Sequence, residues 1–224
     1  MKKGHTLGHV LFRILLTILI PKGMIKIMKN SIQNLTLTAL MAAVLCIMGP
    51  IVIPIGVVPM SLANMAIYLT IILLDKKKAT ISVAVYLLIG FVGLPVFSGF
   101  TGGGGKLFGP TGGYLIGYLV LGWISGTVLE KMFPKDKGMQ DKKTKDRIER
   151  FSKKSRTGKE ILALTAGTVC LYLFGTLWLM IQNNLTFSAA LSVGVFPFLI
   201  FDAVKIVLAV SIGDSIKKRI SFLG

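Results

Sequence analysis

The chain has 224 residues, 53% of them hydrophobic and only 16% charged, with a mean hydropathy of +0.75. A soluble domain carries about 25% charged residues, so the composition argues against a soluble enzyme and against a disordered chain. The 26 Lys and Arg against 9 Asp and Glu give a net charge of +17. These charges cluster in short stretches between long apolar runs, which fits the loops of a membrane protein and not a nucleic-acid-binding face.

The first apolar stretch, Leu7 to Ile20, follows Lys2 and Lys3 but is interrupted by Gly8, His9 and Arg13. It has the outline of a signal peptide without a small-residue cleavage site, because Pro21-Lys22-Gly23-Met24 follows. It is also short for a membrane span. Residues 1–30 therefore read as an N-terminal extension, interfacial or disordered, with Met24 and Met28 as alternative starts. Six spans are expected after it: Leu35–Ile53, Val57–Leu74, Ala79–Val96, Gly113–Phe133, Ile161–Ile181 and Leu191–Ile212. Their apolar runs are continuous and not alternating, which implies helices and not a barrel.

The connections alternate in charge. Lys22, Lys26 and Lys29 precede the first span, and Asp75, Lys76, Lys77 and Lys78 separate the second from the third. Lys131–Glu160 holds twelve Lys or Arg against five Asp or Glu, and Asp214, Lys217, Lys218 and Arg219 follow the sixth span. The intervening turns are bare apart from Lys106. Basic loops stay inside, so the expected fold is an all-α integral membrane protein with six transmembrane helices and both termini cytoplasmic. The basic loop at 131–160 reads as a solvated linker, partly helical and drawn to anionic lipid, ahead of a docking surface.

Few residues could carry chemistry. Cys46 and Cys170 lie in apolar runs without metal-ligand spacing and read as packing residues. His5 and His9 are confined to the tail, so no catalytic or metal constellation is expected. Asp202 and Lys205 are the clearly charged side chains within a span. A charge in hydrocarbon is costly and is a functional candidate by default. Spaced by three, the two share a helix face and can pair, and Pro197, one turn earlier, loosens the helix there. Asp202 would accept N–H bonds and Lys205 would attract a carboxylate, which suits a ligand with an amide-like group and an acid group. The bland alternative is an ion pair that only ties helices together.

The stretch Phe100-Thr101-Gly102-Gly103-Gly104-Gly105-Lys106-Leu107 invites comparison with a phosphate-binding loop. Phe100 and Leu107 occupy the places that need Gly and Ser or Thr, so the motif fails. Gly102, Gly103, Gly104 and Gly105 instead suit a gating lid, with Phe97, Phe100 and Phe108 offering apolar faces to a ligand. A tight turn packing small residues is the alternative.

Leu94-Pro95-Val96-Phe97, the glycine run and Gly109-Pro110-Thr111-Gly112-Gly113-Tyr114 resemble the signature of the BioY family. So do Gly175-Thr176-Leu177-Trp178 and Asp202-x-x-Lys205. The resemblance covers about Leu35 to Gly213, within a membrane domain at 31–224. It implies the biotin-specific substrate-binding component of an energy-coupling-factor transporter in the prokaryotic cell membrane, working with a transmembrane coupling protein and two ATPases. By this resemblance Asp202 and Lys205 are ligand contacts, Lys106 meets the carboxylate, and Phe97, Phe100 and Tyr86 stand beside the ligand. No cofactor is implied in the chain itself, and any ATP is used by the partners. Two positions depart from the pattern: Phe201 precedes the aspartate where the family usually has Gly, and Ala63 stands where Gln is common. Ala39 and Ala43 lie four apart on the first span. Spacing alone leaves them equally suited to internal packing or to a partner helix, and the resemblance implies the coupling protein. The weighed alternatives are an intramembrane enzyme, for which the spans lack further acids or a nucleophile, and a self-sufficient secondary transporter, for which no internal repeat is visible.

Overall fold

The computed structural model describes residues 22–53, 60–133 and 142–222, with side chains for 32–53, 60–133 and 156–217. The expected tail segment Leu7–Ile20, the turn Pro54–Gly56 and residues 134–141 of the basic loop lie outside the described residues. The elements in chain order are α1 (Lys22–Met48), β1 (Val52–Ile53), β2 (Met60–Ser61), α2 (Ala63–Leu73), α3 (Lys76–Phe91), α4 (Gly104–Leu107), α5 (Gly112–Met132), α6 (Lys142–Asn183), α7 (Phe187–Gly194) and α8 (Phe196–Phe222). The chain divides into two units, Met1–Leu37 and Thr38–Gly224. In the described part of the first, Thr36 Oγ1 donates to the Ile32 carbonyl at 2.9 Å, one helical turn back.

The fold is mostly helical, and among the described residues three helices are long and apolar enough to cross a membrane: Gly112–Met132, Arg156–Asn183 and Phe196–Lys217. Ile32–Met48 and Ala63–Leu73 are apolar but shorter. The expected span Val57–Leu74 is cut to the 11 residues of α2 because Met60 and Ser61 are drawn into an antiparallel ribbon, with Val52 opposite Ser61 and Ile53 opposite Met60. This ribbon and an isolated antiparallel bridge between Phe97 and Thr101 are the departures from all-α among the described residues. Its Ser61 side chain accepts from the Ala63 N–H at 2.9 Å and donates to the Gly49 carbonyl at 2.7 Å. That satisfies one of the free donors at the start of α2. The expected span Leu191–Ile212 is interrupted at Val195, between α7 and α8. Pro197 disfavours helical geometry at the residue before it and is accommodated in the first turn of a new helix. The Lys131–Glu160 loop is partly helix, since α6 already begins at Lys142.

The core of the second unit is built from Leu45, Ile67, Tyr68, Val83, Leu121 and Leu164, all without solvent exposure. Helices α5 and α6 pack closely because each presents glycine to the other's aromatic residue. A Cβ on Gly113 would run into Trp178, and one on Gly175 would run into the Tyr114 ring. In lipid, where helix association depends on packing and not on water exclusion, such small-residue contacts hold helices together.

Candidate functional site

Side chains from five elements converge on one pocket. Ser61 comes from β2, Asn64 from the first turn of α2, Tyr114 and Tyr118 from α5, Tyr172 from α6, and Phe198, Asp202 and Lys205 from α8. The pocket encloses about 540 Å³ of open space, mouth included, within the range of roughly 300–1,000 Å³ usual for small-molecule sites. Four aromatic rings line it, and Asn64, Tyr172 and Lys205 gather around a single carboxylate, Asp202.

Asp202 is 3% exposed and Lys205 6%. The Lys205 ammonium donates to Asp202 Oδ1 at 3.0 Å and to the Ser61 carbonyl at 2.9 Å. Asp202 Oδ2 accepts from the Tyr172 hydroxyl at 2.6 Å and from the Asn64 amide at 3.0 Å. A carboxylate offers about four lone-pair positions and an ammonium three protons. The bonds found among the described residues use three of the former and two of the latter. One acceptor position on Oδ1 and one donor on Lys205 therefore remain, side by side. The expected i, i+3 pair is present, and its bonds also reach the ribbon, α2 and α6.

The outer wall is fixed by Tyr114. Its hydroxyl donates to the Gly194 carbonyl at 3.1 Å and lies 3.5 Å from Thr176 Oγ1. The break between α7 and α8 exposes that carbonyl, so the interruption of the last span shapes the pocket. Trp178 Nε1 donates to the Gly109 carbonyl at 3.0 Å, and Gln182 Nε2 to the Phe108 carbonyl at 3.1 Å. Both bonds hold the turn that leads into Thr111 and Tyr114.

The other residues expected at the site lie elsewhere, and none of them lines this pocket. Phe97 is fully buried and meets Tyr86, itself 1% exposed, edge to face at 5.6 Å between ring centres. Both are packing residues: the Phe97 ring occupies the space a side chain at Gly90 would need. Phe100 is 71% exposed, with a φ of 57°. Lys106 sits half-buried on α4. The pocket residues that sequence reading missed are chiefly Asn64, Tyr172, Tyr114 and Tyr118. Asn64 left a trace, as an amide in the apolar run from Val57 to Leu74. The tyrosines left none, because an aromatic residue in a membrane helix is usually packing.

The glycine run is tied down. Phe97 and Thr101 pair through backbone bonds of 2.9 and 3.3 Å, the Gly99 N–H donates to the Pro50 carbonyl at 3.0 Å, and the Gly103 N–H to the Gly90 carbonyl at 2.7 Å. These bonds favour the packed turn over a freely moving lid. Gly103 has a φ of +88°, which L side chains rarely adopt. A Cβ on Gly102 would strike the Leu94 carbonyl oxygen and come within 2.8 Å of that of Gly93, whereas one on Gly105 meets nothing within 4 Å. Gly102→Ala should therefore cost about 1–3 kcal/mol of stability, since backbone must move, while Gly105→Ala should be neutral or slightly stabilising. Thermal unfolding in detergent checks both; equal melting temperatures for the two variants would contradict this packing.

Comparison with known proteins shows the family. The family model described as "BioY family" matches residues 21–222. The chain is 32% identical over 195 residues to biotin transporter BioY2 of Lactococcus lactis, covering 87% of this chain and 96% of that one. It is 33% identical over 186 residues to biotin transporter BioY of Thermotoga maritima, covering 83% and 96% respectively. The crystal structure of the S-component for biotin from an ECF-type ABC transporter superposes with a TM-score of 0.71 at 29% identity, over 85% of this chain and 93% of that one.

Proposed function

The chain belongs to the BioY family, and from that premise we propose that it is the biotin-capturing subunit of an energy-coupling-factor vitamin transporter. The observation that carries the reading is the open acceptor on Asp202 beside the open donor on Lys205. Biotin presents a cyclic urea, whose N–H and adjacent C=O form a donor–acceptor edge complementary to this pair. The N–H donates to Asp202 Oδ1, and the C=O accepts from the Lys205 ammonium. Tyr172 and Asn64 hold the carboxylate still, so little side-chain freedom is lost on binding. Tyr114, Tyr118 and Phe198 enclose the apolar part of the ligand. Its ionised tail stays towards the mouth of the pocket, and the family resemblance makes Lys106 the candidate countercharge.

The chain is the membrane-embedded capture subunit, and hydrolysis of ATP belongs to two partner ATPases acting through a coupling protein. The phosphate-loop pattern fails at Phe100 and Leu107. Ala39 and Ala43 are exposed on α1, whereas Met41, Ala42 and Leu45 between and beyond them are buried. An exposed small-residue face in lipid supports docking of a partner helix. Six crossings with both termini inside follow from the alternating loop charge.

Mass spectrometry of protein purified from biotin-fed cells tests the function: bound biotin is expected, and a different vitamin in its place would refute the assignment. Whole-cell labelling tests the topology. Ser188→Cys should react with a membrane-impermeant maleimide and Ser215→Cys should not; the reverse pattern would overturn it.

A further inference from the structure

A second pocket lies at the other end of the helices. Tyr118, in the biotin pocket, and Gly126, in the second, are eight residues apart on α5, about 12 Å along the axis. It encloses about 550 Å³ of open space, mouth included. One side is apolar, formed by Ile71, Ile72, Leu74, Leu129 and Phe133. The other carries Asp75, Glu130 and Glu160 against Lys76, Arg156 and Lys217. Three of the nine acidic residues of a chain with net charge +17 thus meet at one place. The pocket stands where α2 and α5 end and where the apolar stretch of α6 begins.

Glu160 is 3% exposed. Its Oε1 accepts from Lys217 Nζ at 3.1 Å and from Arg156 Nε at 3.2 Å, while its Oε2 is buried and has no hydrogen-bond partner among the described residues. A shielded carboxylate oxygen without a donor is costly. Among the described residues, then, Oε2 has room for one further N–H donor. A divalent ion does not fit: no group of three or more His, Cys, Asp or Glu that could hold a metal is found among the described residues, and Oε1 already faces two cations.

We propose that this pocket binds the headgroup of an aminophospholipid of the phosphatidylethanolamine type. The primary ammonium donates to Glu160 Oε2. The phosphate lies against Lys217 and Lys76, whose side chains are 28% and 18% exposed. The acyl chains follow the apolar side into the bilayer. Three acids and three bases in the lining accept a zwitterion without leaving net charge. Arg156 is the cover that moves aside: it is 48% exposed and is held by the bond to Glu160 and a ring contact with Phe133 at 5.8 Å. The inference does not depend on which vitamin the other pocket carries.

The test is lipid retention measured by native mass spectrometry on the full chain, released from nanodiscs containing phosphatidylethanolamine, its N-methyl and N,N-dimethyl forms, or phosphatidylcholine, with matched acyl chains. Retention should fall along this series by about tenfold or more, because a hydrogen bond to a charged group is lost as the N–H donors are removed. Glu160→Gln should flatten the series while leaving biotin binding intact, since Glu160 is twelve residues from Tyr172, about 18 Å along α6. Equal retention of the first and last lipids by the parent protein overturns the proposal, whatever the variant does. An unflattened series in a folded Glu160→Gln protein also overturns it. If that variant keeps its lipid selection but loses its transporter partners, the occupant of the pocket is a basic side chain of a partner, and the lipid assignment is wrong.

Discussion

Asp202→Asn is expected to weaken biotin binding by about 2–5 kcal/mol, the range for truncating one member of a buried, hydrogen-bonded charge pair. The amide has the carboxylate's shape but brings a donor into a site built around an acceptor. With its N–H2 at the Oδ2 position it faces the donors of Tyr172 and Asn64, which bond there at 2.6 and 3.0 Å. Turned the other way, it faces the Lys205 ammonium, 3.0 Å from Oδ1, and the ligand's own N–H. The second orientation opposes donor to donor, the first requires Tyr172 and Asn64 to turn from donating to accepting, and in both Lys205 loses its buried countercharge. Lys205→Met leaves Asp202 held by two neutral donors without a countercharge and should also bind poorly. The double variant removes both charges together, so it should unfold at a higher temperature than either single variant and still not bind. Titration calorimetry beside thermal unfolding separates the two effects. Parent-like affinity in both single variants would show that the ligand is held elsewhere.

Ala39→Trp and Ala43→Trp are expected to abolish ATP-dependent uptake and co-purification with the coupling protein while leaving biotin affinity within about twofold of the parent. Both positions are exposed on α1, so an indole there points away from the core and leaves the Leu45 packing alone. A partner helix that approaches over alanine cannot approach over tryptophan, and in lipid close packing is the main source of association. The ligand residues sit on β2, α2, α5, α6 and α8, so docking and capture are carried by different surfaces. Loss of biotin binding in these variants would place the face inside the protein. Unchanged uptake would put the partner elsewhere.

How far the site could be read from sequence varies residue by residue. Asp202 and Lys205 stood out because two charges in an apolar run have few benign explanations, and a spacing of three fixes them on one helix face. Phe97 and Tyr86 were expected beside the ligand and are packed against each other in the core, because an aromatic side chain suits either place equally well. Asn64 and Tyr172 reach Asp202 across separations of 138 and 30 residues. No local pattern announces a pairing of that length.

The sequence by itself determined the class of molecule, the mostly helical fold and the charged pair at the centre of the site. Each of these follows from composition, from apolar run length or from contacts within one turn, which act locally along the chain. Only the tertiary structure decided which polar groups complete the carboxylate's shell, that the ribbon shortens α2, and that the break at Val195 turns a carbonyl towards Tyr114. It alone also showed the backbone bonds within the glycine run, and that Glu160 Oε2 has no partner among the described residues. Each of these depends on which surfaces meet when helices pack, and that is set by side-chain shape across elements far apart in the chain.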